Sequence, residues 1–117
     1  MFGQVLPLTS TTQSFYAGEH VIVAWCDRNY SWELGVVEKC QSANIVVSHM
    51  VPTNQEKTCW VFPEEAVTLP VENDQVLLRR VTVHYHQSMR IRVSLTKETV
   101  TEASLKLQEF NKQLLLL

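Results

Sequence analysis

Glycine is scarce, with three residues in a chain of 117. A loop that cradles phosphates with its backbone needs several glycines in a short span, so nucleotide binding of that kind is not expected. The three cysteines, Cys26, Cys40 and Cys59, are widely spaced and form no C-x-x-C pair, which argues against a zinc ribbon or a dithiol redox motif. They read as reduced thiols of an intracellular protein. No apolar run approaches the roughly 18 residues of a membrane span. Met1 to Ser14 lacks the basic start and apolar middle of a secretory signal and reads as a flexible tail. G-x-S-x-G and H-E-x-x-H are both missing, and the adjacent carboxylates Glu64 and Glu65 diverge from a shared turn. Neither an enzyme nor a cofactor is therefore expected.

What is present is 45% apolar and 19% charged, enough for one modest core and too little charge for a disordered tail. Val21, Val23 and Trp25 alternate with His20, Ile22 and Ala24, the period of a strand. Gly18 turns the chain into it, and Cys26 to Asn29 turns it out. Trp32 to Lys39 reads as a second strand, in which Gly35 marks a bend or a close backbone approach. Ile45 to Met50 is a third, Cys59 to Phe62 a fourth, and Val67 to Leu69 a short closing strand after a helical turn at Pro63 to Ala66. Short strands at this spacing predict an all-β barrel or sandwich over 15–70. Two further alternating runs, Val76 to Tyr85 and Met89 to Leu95, predict a β-hairpin turning at Gln87-Ser88 within 71–98. The 99–117 segment predicts an amphipathic helix: Thr99 and Glu102 fit a capping box, and Ala103, Leu107, Phe110, Leu114 and Leu117 share a face.

Gly18-Glu19-His20-Val21, Val23-Ala24-Trp25, Tyr30-Ser31-Trp32, Leu34-Gly35-Val36-Val37 and Ile45-Val46-Val47 follow one another in an order that resembles a Tudor domain. The likeness covers under half of the chain. It implies a mainly β fold: a five-stranded SH3-like (Tudor-type) barrel, here followed by the hairpin and the C-terminal α-helix. Ser48-His49-Met50 and Cys59-Trp60-Val61-Phe62-Pro63 are similar to small barrels of transposon-associated animal proteins, with Phe62 inserted and the His-Met order changed. A Tudor domain implies an aromatic cage for a methylated Lys or Arg, since ring faces attract cations by about 0.5–2 kcal/mol each. Matched residue by residue, the cage falls on Trp25, then Trp32 or Tyr30, then His49 and Met50, with Trp60 as a substitute wall and Asp27 and Glu33 as nearby acids. The competing reading makes the three tryptophans core or rim residues, highly buried on average. A protein or peptide partner and an intracellular, nuclear setting follow from the resemblance.

Charge is unevenly spread. Residues 1–74 hold nine acids and three bases, whereas residues 75–97 hold five bases, Arg79, Arg80, Arg90, Arg92 and Lys97, and no acid. Arg90 and Arg92 lie two apart on one strand face, as do His84 and His86. Such a face could meet DNA or RNA phosphates through Arg79, Arg80, Arg90 and Arg92, or meet the acidic barrel of the same chain or of a partner, or simply be the solvated side of a half-buried hairpin. His84 and His86 would need a third ligand such as His20 or His49 to hold a metal, so no metal is assigned. The helix stripe spans about two heptads, short for a coiled coil; it either packs on its own domain or joins two copies as a homodimer. Leu114 to Leu117 reads as a sticky end, of the kind left where a chain is cut from a longer one.

Overall fold

The computed structural model describes residues 15–86 and 91–116. Its strands are β1 (His20–Asp27), β2 (Asn29–Cys40), β3 (Asn44–His49), β4 (Val51–Pro52), β5 (Cys59–Val61), β6 (Thr68–Glu72), β7 (Val76–Leu78), β8 (His84–His86) and β9 (Arg92–Ser94), followed by helix α1 (Lys97–Leu115). A 3-10 turn, Asn73–Gln75, separates β6 from β7. The protein is thus mainly β, with antiparallel sheets and one C-terminal helix, as expected.

Two sheets form. The first runs β6-β3-β2-β1-β7 and the second β4-β5-β9-β8. The expected five-stranded barrel is not closed by this pairing, because β6 and β7 remain the outer strands of the first sheet. The place beside β1 is taken by Val76–Leu78, after the 3-10 turn, and not by Val67 to Leu69. Thr68 and Leu69 instead open β6, which runs along β3. Val76 to Tyr85 is also not one strand. It breaks after β7, where Arg80 takes a positive φ of 53° and Val81 N–H donates to His20 O at 3.0 Å. The hairpin survives as β8 against β9, and β9 continues across to β5, which ties it into the second sheet. Its expected turn at Gln87-Ser88 lies outside the described residues. So does the expected tail before Phe15. Pro63 to Ala66 forms bends and no helical turn.

Each apolar residue of β1 serves one of two cores. Val21 and Val23 pack with Val37, Ile45, Val47 and Val71. Ile22 packs on the other face with Trp32, Leu34, Met50, Trp60, Val93, Leu95 and Ala103. The first sheet is therefore buried on both faces, with the second sheet and α1 covering one of them. Gly35 makes the close approach its sequence position suggests: a Cβ there would strike the Val47 side chain and lie 3.0 Å from Ser48 O. At the strand entrance Gly18 takes φ 93° and donates its N–H to Val37 O at 2.8 Å.

The helix is capped three residues earlier than expected. Thr96, in place of Thr99, is the N-cap and its Oγ accepts the Thr99 N–H at 3.1 Å. Val100, Ala103 and Leu107 turn into the second core, and Phe110 meets Tyr30 with ring centroids 5.0 Å apart. The stripe expected to serve either its own domain or a second copy is thus used within the chain up to Phe110. Leu114 to Leu116 remain exposed.

Candidate functional site

Strand register divides the expected cage. Residues directly opposite each other share a face of the sheet. Trp32 lies opposite Ala24, and Glu33 opposite Val23. Trp32 therefore faces the Ile22 core, while Glu33 shares the other face with Trp25. His49 lies opposite Gly35, which is opposite Val21, so it joins Trp25 and Glu33. The indoles of Trp25 and Trp32 end on opposite sides, Met50 lies in the core with Trp32 and Trp60, and the expected residues do not assemble into one cage.

Trp32 and Trp60 are buried together, with ring centroids 5.5 Å apart. Their cation is the chain's own Lys57, whose Nζ sits 4.7 Å from the centre of the Trp32 ring and donates to Trp32 O at 3.0 Å. Trp60 Nε1–H in turn donates to Lys57 O at 2.7 Å. Partial burial pushes the Lys57 pKa below its ordinary value, and the nearby Glu33 carboxylate opposes that shift. No spacing in the sequence marks Lys57 as the residue that fills this aromatic wall. Tyr30 is similarly engaged, by Phe110 of α1.

Trp25, Glu33 and His49 form a different group, at the end of the first sheet where β3 no longer flanks β2. The Trp25 ring is half-buried and stands edge-on to His49, with centroids 4.9 Å apart. His49 is buried, and its Nδ1 lies 3.2 Å from Glu33 Oε1. With hydrogen on Nδ1, His49 donates to the Glu33 carboxylate, and that bond orients both side chains. His49 Nε2 has no hydrogen-bond partner among the described residues. About a third of the Glu33 side chain reaches solvent. The corner thus offers an indole surface, a partly accessible carboxylate and a buried ring nitrogen. An indole face and a carboxylate are both groups that favour a cation beside them.

The basic residues also separate. Arg79 Nε lies 3.3 Å from Glu19 Oε2, and its guanidinium rests over the Phe15 ring at 4.2 Å. The buried Glu19 carboxylate further accepts N–H groups from Tyr16 at 3.1 Å and Arg80 at 3.1 Å. Arg79 is thereby engaged within the fold, and Arg80 lies over Tyr16 at 5.9 Å. Arg92 is exposed on β9, and Arg90 lies outside the described residues. Of the four arginines considered for phosphates, Arg79 and Arg80 thus lie beside Glu19 and Tyr16, and Arg92 stands on β9. His20 is buried against Tyr85, with Nε2 3.4 Å from the phenol oxygen, and burial lowers its pKa. No group of three or more His, Cys, Asp or Glu suited to a metal occurs among the described residues.

No helix among the described residues is long and apolar enough to cross a membrane. A scan against protein-family models finds no match, and searches of curated proteins and of solved structures find none either.

Proposed function

We propose that the protein is a non-catalytic recognition module that holds a cationic side chain of a peptide at the corner formed by Trp25, Glu33 and His49. The observation that carries this reading is the half-buried Trp25 ring set against His49, with Glu33 3.2 Å beyond it. Ring and carboxylate both favour positive charge. An indole contact is worth about 0.5–2 kcal/mol, rising as water is excluded.

On this proposal the first sheet is an SH3-like, Tudor-type meander left open along one seam. Supporting this are four features in sequence order: a three-strand meander, a fourth strand on β3, a 3-10 turn, and a final strand on the free edge of β1. The ligand on this reading is a Lys or Arg side chain, methylated or not, in a nuclear partner protein. One accessible ring makes a shallower site than the full cage expected from the resemblance, since Trp32 and Trp60 are committed to Lys57.

Calorimetric titration with peptides carrying unmodified and methylated Lys or Arg tests the proposal. Trp25→Ala should weaken binding about tenfold, a loss of roughly 1.4 kcal/mol. The same change should cost stability by about 2 kcal/mol, since only part of the ring is buried. Glu33→Gln should weaken binding while leaving the fold intact. Peptide affinity unchanged in both folded variants would move the site elsewhere.

A further inference from the structure

A second interaction surface emerges from the sheet edges, beyond the Trp25 corner. The two sheets have four outer strands: β6, β7, β4 and β8. An open edge pairs readily with foreign strands unless proline, charge or a covering element blocks it. Pro70 sits in the middle of β6, and Pro52 forms half of β4. Helix α1 packs against β7. β8 carries no proline, and no element lies beyond it in its sheet among the described residues. All three of its residues, His84, Tyr85 and His86, are exposed.

Strand alternation shows which main-chain groups that edge offers. Leu95 N–H donates to Thr58 O, toward β5. Alternation then turns Ser94 and Arg92 toward β8, where they oppose His84 and His86. The N–H and C=O of Tyr85 consequently point away from β9, onto the open side. Apolar surface flanks them: Tyr85 is 63% and Ile91 59% exposed.

We infer that β8 accepts an acidic, extended segment of a partner protein by strand addition, with the Tyr85 main chain as the pairing point. Charge selects the partner. Residues 75–97 contain no acid, so no carboxylate of this segment repels an acidic strand. Arg92 projects beside β8, and the imidazoles of His84 and His86 share one face of the strand. Phosphate recognition is less well served, because Arg79 is held by Glu19 and Arg80 lies over Tyr16.

The test uses the full chain and three probes: a blocked Glu-Val alternating peptide, its Lys-Val counterpart, and a single-stranded DNA oligonucleotide. Addition of the Glu-Val peptide should slow hydrogen exchange at the Tyr85 amide by about tenfold or more. The Lys-Val peptide should not. Tyr85→Pro removes that N–H without touching the bonds to β9, so it should abolish the interaction. Tyr85→Val keeps the N–H and should retain most of it, which guards against a folding defect in the proline variant. Arg92→Glu should weaken the Glu-Val peptide. The inference is overturned if the Tyr85 amide exchanges slowly before any peptide is added, if Tyr85→Val loses binding as fully as Tyr85→Pro, if the folded protein ignores the Glu-Val peptide, or if DNA binds and Tyr85→Pro leaves its affinity unchanged.

Discussion

Several single residues decide more than their neighbours. Gly35 permits the approach of β2 to β3, and a methyl group there would press on Val47 and the Ser48 carbonyl. Gly35→Ala should therefore destabilise the protein by about 1–3 kcal/mol, read as a lower urea midpoint at unchanged slope. His20 makes a prediction about pH. Burial lowers its pKa in the fold, so below the ordinary value of about 6.5 the unfolded chain binds the proton more readily. Its contribution to stability is complete above that value and declines as pH falls through the depressed folded pKa. Exposed Arg80 and paired Arg79 approach the same region, as do Glu19 and Tyr85, and the Glu19 carboxylate is already paired with Arg79. Urea midpoints measured from neutral pH downward should fall less steeply for His20→Asn than for the parent chain. The fate of the tryptophans was not legible at this scale. A turn spanning Cys26 to Asn29 leaves open which side of the sheet Trp32 takes. The hairpin connects through Arg28 alone, at φ 75°, and that connection sets Trp25 and Trp32 on opposite faces.

Among the elements, β1, β2, β3 and α1 were readable because each is long enough to show its period. Val21 to Ala24 reads as a strand, yet alternation alone does not reveal that both of its faces are buried. The short strands were harder. β5, β8 and β9 have three residues each, and nothing local to Cys59-Trp60-Val61 names a partner more than thirty residues away. The break between β7 and β8 comes from Arg80, whose N–H is captured by Glu19 at 3.1 Å. That tertiary bond overrides the alternating pattern of Val76 to Tyr85. The α1 start moved because two threonines compete for the cap, and Thr96 reaches Thr99 N–H while Thr99 lies inside the first turn. Thr96→Ala should cost about 1 kcal/mol and fray the first turn, measured by thermal unfolding and by faster amide exchange at Thr99.

At the scale of the whole molecule, one sheet separates two cores and leaves its aromatic residues with different tasks. Trp32 and Trp60 build the interior with Lys57 as a bound cation, and Trp25 stands at the rim with Glu33 and His49. Apolar patterning predicted strands and a core. It gave no sign of Lys57 on Trp32 or of Phe110 on Tyr30, because both contacts join segments brought together only by folding. The most direct test follows the three indole N–H signals by nuclear magnetic resonance during titration with methylated and unmodified Lys or Arg peptides. Recognition at the Trp25 corner predicts that the Trp25 signal shifts with saturation while those of Trp32 and Trp60 stay in place. Shifts at Trp32 and Trp60 with Trp25 unmoved would contradict it.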